Sequence, residues 1–295
     1  MTHVEVQPTA VPTLRVMTVN LMGQQENWSA RSQVLAASLA ELRPDLVCLQ
    51  DVVVRDREDQ AADILGDDYQ LVHQANRAAD GSGVSIASRW PVQEVHETDL
   101  RVTARAATLP YTVFIARVDT PALGDVLLVN KRTSFQFGAE LERELEAVAA
   151  ARLIEDLVAA QPAQVILASD LNAAPDTASI RFWTGRQSLR GLSVCYQDTW
   201  EITHRGDSDE AGHTFTRANP LVARGEMPLE PGRRIDYILV RCLDHGPAVE
   251  VVSCARVLDR PVHGVWPSDH YALLAELRHL LGGRTGGAPA QPASH

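Results

Sequence analysis

The sequence predicts an α/β protein with a four-layer αββα architecture, in which two mixed β-sheets pack together and helices flank their outer faces. Short apolar runs bounded by polar turns recur along the whole chain, as is typical of buried strands. A strand, helix, strand order near the N-terminus is repeated after residue 138. Two sets of strands, each with its own helices, predict two sheets that are covered on the outside.

The first half of the chain begins with a strand at 14–19 and a helix that starts near Trp28. Apolar residues of this helix recur at helical spacing and stop before Pro44, a residue that a helix rarely precedes directly. A second strand follows at 46–50. From 69 to 133, successive short apolar runs predict a meander of largely antiparallel strands.

The strongest helix signal covers residues 138–160. Leu141, Leu145 and Val148 begin an apolar face, and Glu142 and its charged neighbours are expected to point away from it. The remaining predicted elements are a strand at 165–169, a short helix near 177–183 and a closing strand at 272–277.

The organisation predicted from composition is one domain at 13–280, between a flexible N-terminus at 1–12 and a disordered tail at 281–295. Hydrophobic residues make up 45% of the chain and are spread evenly, which favours a large core. The N-terminus lacks the pattern of a signal peptide, and no apolar stretch is long enough to cross a membrane. We therefore expect a cytoplasmic protein that does not bind membranes.

The net charge of −11 opposes long-range attraction to polyanions. Binding of extended duplex nucleic acid is therefore disfavoured. A locally basic cleft stays possible, for which the pairs Lys131-Arg132 and Arg233-Arg234 are candidates. These pairs are equally compatible with a solvated surface.

Polar residues follow the apolar runs at several points. Strand ends that meet at one rim of a sheet can hold a divalent metal ion and a phosphate together. Each such residue, taken alone, is also compatible with a cap or a turn. The residues in question are Asn20, Asp51, Asp170, Asn172, Asp236, Asp269 and His270.

Spacing gives two of these positions more weight. Asp170 and Asn172 are two residues apart and so share one side of an extended segment. One can accept a proton while the other orients the same water. Asp236 lies in an apolar run, where a buried carboxylate needs a partner, either an arginine or the imidazole of His270.

Six motifs, taken together and in order, resemble the endonuclease/exonuclease/phosphatase superfamily of metal-dependent phosphoesterases. The resemblance extends from about Leu14 to Leu277. It implies the two-sheet sandwich and an active site between the sheet edges. The motifs are Thr18-Val19-Asn20, the run 44–51 ending in Leu49-Gln50-Asp51, the run 83–91, Ser169-Asp170-Leu171-Asn172, Arg234-Ile235-Asp236-Tyr237 and Ser268-Asp269-His270.

The resemblance also implies a role for each residue. Asn20 and Asp51 would form the metal side of the site, with Asp269 close to the metal, and Asn20 would also contact the substrate. Asp170 would orient or deprotonate the attacking water, which Asn172 would fix in position. His270 would contact the phosphate, held by Asp236. The implied reaction is in-line attack of water on a phosphorus ester, assisted by Mg²⁺ or Mn²⁺.

Two departures from the family pattern concern the active site. Asp51 stands where the family usually has glutamate, and its carboxylate is withdrawn by the length of one C–C bond, about 1.5 Å. No histidine is present at 130–133, before the long helix, where most members carry one. Lys131 or Arg132 could bind phosphate there, but neither readily protonates a leaving alkoxide.

These observations leave three hypotheses for function. The first is a divalent-metal-dependent phosphodiesterase or phosphatase acting on a small or single-stranded phosphate ester. The second is a repurposed or non-catalytic family member that binds a ligand or partner or catalyses a different reaction. The third is a structure-specific DNA endonuclease, which would need a basic stripe beside the site. Substrate identity, the choice of metal and the oligomeric state are not encoded in any motif of the sequence.

Overall fold

The computed structural model describes residues 11–23, 27–205 and 212–280. Of the expected flexible N-terminus, residues 11 and 12 are described and have no regular structure, and the others lie outside the described residues. The expected disordered tail at 281–295 also lies outside them. The limits of a single domain at 13–280 stay a prediction.

Strands and helices alternate irregularly along the chain. The first half contains β1 (Leu14–Asn20), α1 (Trp28–Leu42), β2 (Leu46–Arg55), β3 (Glu58–Asp59), α2 (Gln60–Leu65), β4 (Gln70–His73), β5 (Ser82–Ser88), β6 (Val92–Asp99), β7 (Thr112–Thr120) and β8 (Gly124–Arg132). The second half contains α3 (Glu140–Ala160), β9 (Gln164–Asp170), α4 (Ala178–Trp183), β10 (Tyr196–Asp198), α5 (Thr199–Thr203), α6 (Pro220–Arg224), β11 (Asp236–Leu243), β12 (Gly246–Pro247), β13 (Val249–Val257) and β14 (Ala272–His279).

These strands form two mixed sheets. The first has the order β13-β14-β1-β2-β5-β4, with β3 paired to β2. The second has the order β10-β11-β9-β8-β7-β6, with β12 paired to β11. Each sheet contains one parallel pair, β1 with β2 and β8 with β9, and each pair is joined by a helix, α1 or α3. A parallel pair requires such a crossover, and it brings both carboxyl ends to the same edge of the sheet.

Three apolar cores separate the four layers and confirm the predicted architecture. The core between the sheets includes Ile86, Leu128 and Ile166, which are all fully buried. A second core packs the second sheet against α3 and α4, for example through Ile154. A third packs the first sheet against α1 and α2, for example through Leu35. Among the described residues, no helix is long and apolar enough to cross a membrane.

The strands predicted between residues 69 and 133 form, but they do not make one meander. β4 and β5 belong to the first sheet, whereas β6, β7 and β8 belong to the second. The chain crosses between the sheets at Arg89-Trp90-Pro91, where Trp90 packs against the core between the sheets. The sequence pattern could not show this crossing because strands of both sheets are apolar in the same way.

The predicted faces of the long helix α3 are partly wrong. Leu141 is 53% exposed, whereas Glu142, Arg143 and Glu146 are buried. The buried charges have partners that lie outside the helix. Glu146 accepts hydrogen bonds from the backbone N–H and the hydroxyl of Ser134, at 3.1 and 2.6 Å, and Arg143 donates to the Ser134 carbonyl at 3.0 Å. Such partners offset the cost of burying charge.

Candidate active site

Strand ends from both sheets meet at one rim of the sandwich. Asn20 is the last residue of β1 and Asp170 is the last residue of β9. The side-chain nitrogen of Asn20 donates to Asp170 Oδ2 at 3.2 Å, across the gap between the sheets. Asp236 begins β11 and is the register partner of Asp170 in the antiparallel pair of β9 and β11. The structure thus brings together three residues that are far apart in sequence.

His270 joins this group from the segment before β14. Its Nδ1 lies 3.0 Å from Asp236 Oδ2, and its Nε2 lies 4.0 Å from Asp170 Oδ2. The imidazole is 8% exposed and packs against the ring of Phe215 at a centroid distance of 4.8 Å. Asp236 therefore provides the partner that fixes the ring orientation and directs Nε2 towards Asp170.

The charges of this cluster change the protonation of its members. Burial on its own would lower the pKa of His270, but the carboxylates of Asp236 and Asp170 outweigh it and raise the pKa to about 10. Burial, together with the negative charge of Asp236, raises the pKa of Asp170 to about 7. At neutral pH the imidazolium can donate a hydrogen bond, and Asp170 is poised to take up a proton.

Both oxygens of the Asp170 carboxylate are held in place. Oδ2 accepts from Asn20, and Oδ1 accepts from the backbone N–H of Asn172 at 2.9 Å. Asn172 has a φ of +51°, a left-handed conformation that asparagine tolerates better than most residues. Its side-chain nitrogen lies 3.4 Å from Thr133 Oγ1. The two residues therefore form a tight turn at the cleft, with a fixed carboxylate and a neighbouring amide.

Asp51 reaches the rim through an irregularity in β2. The register between β2 and β5 shifts between Leu49 and Val52, and Asp51 has a φ of +46°. A bulge of this kind redirects a side chain out of the regular alternation. The Asp51 carboxylate is 40% exposed and accepts a hydrogen bond from the Asn20 side chain at 3.0 Å. Asn20 therefore bridges Asp51 and Asp170.

Asp269 lines the same cleft beside His270. The Ser268 hydroxyl lies 2.7 Å from the carbonyl oxygen of Asn20 and 3.2 Å from Asp269 Oδ1. Burial raises the pKa of Asp269 although His270 and Arg31 are nearby, and the charge of Asp51 raises it further. Asp51 and Asp269 thus bring two carboxylates to the same side of the cleft.

Lys131 and Arg132 point to opposite faces of β8, as neighbours on a strand must. Lys131 is 1% exposed, and its ammonium group lies 5.6 Å from the centre of the Trp183 ring, on the helix side of the sheet. Burial lowers its pKa to about 8, although Glu146 opposes the shift. Arg132 faces the cleft, where Nη2 lies 3.5 Å from Asp51 Oδ1. Both residues line the cleft, but Lys131 is almost fully buried there, whereas the Arg132 guanidinium is partly exposed.

The second basic pair is divided in a similar way. Arg234 is buried and forms an ion pair with Asp198 at 2.7 Å. Arg233 lines the cleft but forms an ion pair with Glu230 at 2.9 Å.

Two residues of the loop before β11 support the site from behind. The hydroxyl of Thr214, which is fully buried, accepts from the backbone N–H of Asp236 at 3.2 Å. Asn219 is also buried, and its side-chain nitrogen donates to the carbonyl oxygen of Ser268 at 2.8 Å. The sequence assigned no role to this loop. Two polar residues beside an Asn-Pro step were the only signal for this supporting role.

The cleft has a volume of about 240 Å³ and carries an apolar side that the sequence analysis missed. This side is formed by loops and helix ends, whose residues share no periodic pattern. Its members are Leu109, Tyr111, Phe135, Phe215, Leu221, Val222 and Met227.

The carboxylates of the cleft fit a hard divalent cation, which prefers oxygen ligands. Among the described residues, one group of three His, Cys, Asp or Glu side chains is close enough to share an ion, namely Asp170, Asp236 and His270. However, Nδ1 of His270 is engaged with Asp236 at 3.0 Å, and the neighbouring carboxylates raise the pKa of the imidazole, which favours a hydrogen-bond donor over a metal ligand. The exposed carboxylate of Asp51, with Asp269 beside it, is the better metal-binding site, because a cation would relieve the repulsion between these two carboxylates.

The sequence comparison agrees with this geometry. The model of the Endonuclease/Exonuclease/phosphatase family matches residues 17–270. The chain belongs to this family, whose members are generally divalent-metal-dependent phosphoesterases. Comparison with curated protein sequences gave no match.

Solved structures of several proteins share the fold at low sequence identity. A truncated C. elegans TDP2 has a TM-score of 0.70 and 20% identity, covering 90% of this chain and 98% of that chain. D. rerio TDP2 complexed with a single-strand DNA product has a TM-score of 0.68 and 21% identity, covering 90% and 99%. The human Nocturnin catalytic domain with a bound sulfate anion has a TM-score of 0.68 and 17% identity, covering 91% and 95%.

Proposed function

We propose that this protein catalyses the divalent-metal-dependent hydrolysis of a phosphate ester, as a phosphodiesterase or phosphatase. The observation that carries the proposal is the cluster of Asp170, Asp236 and His270, connected through Asn20 to the Asp51 side of the cleft. It combines a fixed carboxylate that can accept a proton with an imidazolium that can donate a hydrogen bond.

In the proposed reaction, water forms a bond to phosphorus while the P–O bond to the alcohol breaks, and the departing alkoxide takes up a proton from solvent. Asp170 accepts the proton of the attacking water, which the Asn172 amide helps to orient. His270 donates from Nε2 to an oxygen of the phosphate and so stabilises the charge that develops there. Asp236 keeps the imidazole in position. Arg132 contributes a second positive charge from the other side of the cleft.

Asp51 and Asp269 would hold Mg²⁺ or Mn²⁺, with Asn20 as the residue that connects them to Asp170. When bound, the ion supplies charge neutralisation on the phosphate oxygens. Both ions favour oxygen-rich sites, so the donor set does not distinguish them.

The cleft and the overall charge favour a small or single-stranded substrate. The net charge of −11 disfavours an extended duplex, and the apolar side of the cleft suits an unstacked ring or another apolar group. D. rerio TDP2 has been solved with a single-strand DNA product and human Nocturnin with a sulfate anion. These structures support a site for phosphate-like anions and single strands. A cytoplasmic location is part of this proposal.

A repurposed, non-catalytic member is the second candidate. It is favoured by the contact between Arg132 and Asp51, because a guanidinium beside the shortened metal-side acid competes with a cation. A structure-specific DNA endonuclease has less support, because Arg233 and Arg234 form internal ion pairs and Lys131 is buried, so that of these four residues Arg132 is the main source of positive charge in the cleft.

The test is hydrolysis of bis(p-nitrophenyl) phosphate and its monoester with EDTA, Mg²⁺ or Mn²⁺. We expect metal-dependent turnover that Asp170→Asn and His270→Gln abolish. Asp99→Asn, which changes an exposed aspartate paired with Arg101, is the control and should leave turnover unchanged. If the folded wild-type protein shows no turnover with either metal, the phosphoesterase proposal fails and the non-catalytic candidate takes its place.

A further inference from the structure

Arg132 forms two hydrogen bonds with a residue of the opposite sheet. Its Nη1 donates to the carbonyl oxygen of Ser82 at 2.8 Å, and its Nη2 donates to the Ser82 hydroxyl oxygen at 3.0 Å. Arg132 ends β8 in the second sheet, whereas Ser82 begins β5 in the first. The guanidinium, which is 13% exposed, is therefore held across the gap between the sheets at the cleft.

Asp80 in turn fixes the Ser82 hydroxyl. Asp80 Oδ1 accepts from the backbone N–H of Ser82 at 2.9 Å and from its hydroxyl at 2.7 Å. Because the hydroxyl hydrogen is directed to Asp80, a lone pair of the same oxygen is left to face Arg132. Against partial burial, the Ser82 hydrogen bonds and the charge of Arg132 hold the pKa of Asp80 below its usual value.

The backbone between Asp80 and Ser82 packs closely against Val54 and Arg55. Gly81 has a φ of +81°, and a Cβ at this position would lie 2.8 Å from Arg55 Cγ and 3.0 Å from the carbonyl oxygen of Val54. Arg55 Nε donates to the Asp80 carbonyl oxygen at 2.9 Å. The turn that carries Asp80 and Ser82 is thus closed onto the end of β2 and has little freedom to shift.

The two hydrogen bonds to Ser82 leave part of the Arg132 guanidinium free for a ligand. Nη2 lies 3.5 Å from Asp51 Oδ1. Within the described part of the chain, the Nε–H of Arg132 has no hydrogen-bond acceptor. A guanidinium that is anchored at one end and retains free donors at the other is suited to bind phosphate oxygens. Its charge is permanent, so it stabilises negative charge without giving up a proton.

We propose that Asp80 and Ser82 are positioning residues that hold Arg132 in the cleft, where Arg132 binds the phosphate group of the substrate. The inference rests on the proposed function and adds to it a three-residue chain that runs from Asp80 through Ser82 to Arg132. This series of hydrogen bonds determines where the phosphate lies relative to Asp51.

The first measurement is the binding of inorganic phosphate by calorimetry, with Mg²⁺ and separately with EDTA. A hydrogen bond to a charged group is worth about tenfold to hundredfold in affinity, so Arg132→Ala should weaken phosphate binding by this factor. Ser82→Ala and Asp80→Ala should each weaken it by about tenfold. Ser82→Thr, which keeps the hydroxyl, should restore most of the loss.

A double-mutant cycle separates positioning from a general structural effect. In the Arg132→Ala background, adding Ser82→Ala should change neither the phosphate affinity nor kcat/KM for the diester. Ser88→Ala is the matched control, because Ser88 is buried at the other end of β5 and its hydroxyl accepts from the backbone N–H of Trp90. This control should leave both quantities unchanged.

The outcomes distinguish this inference from the proposed function. If no ester is hydrolysed but phosphate binding follows the expected cycle, the inference stands and the catalytic proposal fails. If hydrolysis occurs while the effects of Ser82→Ala and Arg132→Ala multiply independently, the positioning role is refuted. The inference is likewise overturned if the wild-type protein does not bind phosphate under either condition.

Discussion

The pKa of His270 provides the most direct test of the proposed cluster. Two carboxylates raise it from the ordinary value of 6.5 to about 10 against the effect of burial. Asp236, at 3.0 Å, contacts the imidazole more closely than Asp170, at 4.0 Å. A charge at such distances changes a pKa by about 1 to 3 units, so we expect Asp236→Asn to lower the His270 pKa by about 2 units. This corresponds to about 2.7 kcal/mol.

The assay is an NMR titration of the imidazole resonance in metal-free protein. His270→Gln identifies the resonance, because its signal disappears. Asp170→Asn should lower the pKa by less than Asp236→Asn does, since its oxygen is more distant. A pKa that stays near 10 in the folded Asp236→Asn variant, or the opposite order of the two effects, would refute the electrostatic argument.

The same shift has a consequence for stability, whose sign follows from linkage. The folded-state pKa of His270 lies above the unfolded value, so its contribution to stability is complete below pH 6.5 and is lost as pH rises through about 10. This contribution should therefore lower the free energy of unfolding as pH rises, and it is best measured between pH 6.5 and 8, below the range in which Lys131 contributes with the opposite sign. In Asp236→Asn the decrease should be smaller, and urea titrations at several pH values would measure it.

Three further predictions concern the metal side, the buried lysine and the long helix. Asp51→Ala should weaken Mn²⁺ binding at least about tenfold in calorimetry, and unchanged affinity would contradict its placement as a ligand. Lys131 has a folded-state pKa of about 8, below its ordinary 10.5, so the unfolded state binds more protons between these values. The contribution of Lys131 to the unfolding free energy therefore rises with pH by about 3 kcal/mol, against the fall due to His270, and should appear as the difference between the wild type and Lys131→Met. Ile154→Ala should cost about 2–5 kcal/mol in urea unfolding, whereas Leu141→Ala should cost less than about 0.5 kcal/mol.

The strand framework and most candidate site residues could be predicted because they depend on local pattern. Asp170 and Asp236 stand next to apolar runs, and a run that ends in a carboxylate predicts where that carboxylate lies without knowledge of the partner strand. The residues were nevertheless assigned to one site only through the family resemblance, because their separation in sequence contains no information on contact.

The sequence could not resolve details that depend on register or on distant partners. The sequence did not show which of Lys131 and Arg132 presents its charged group to the cleft, because this depends on the face of β8 that each occupies, which is set by pairing with β7 and β9. The burial of Glu146 depends on Ser134, a residue in the loop before the helix. The bulge that turns Asp51 into the cleft has no local signature, because β2 is apolar on both sides of it.

The polar contacts at the rim cross between the two sheets, and this makes the site geometry a property of the core between them. Asn20 contacts Asp170, and Arg132 contacts Ser82, in each case from one sheet to the other. Deeper in the gap, Asn130 of the second sheet accepts from the Gln50 side chain at 2.8 Å and donates to Ser85 O at 2.9 Å. Hydrogen bonds weaken steeply as their geometry is distorted, whereas apolar packing tolerates small shifts.

The apolar core between the sheets determines their separation, and Asn130 fixes their relative position, since its amide would otherwise be buried without partners. Asp170, Asp236 and Arg132 belong to the second sheet, whereas Asn20 and Asp51 belong to the first and His270 lies in the segment that leads into β14 of the first. Neither sheet alone could bind a phosphate between the Asp170 carboxylate and a metal ion held by Asp51. The functional arrangement therefore arises only when the two sheets pack at the separation that these cross-sheet amide contacts define.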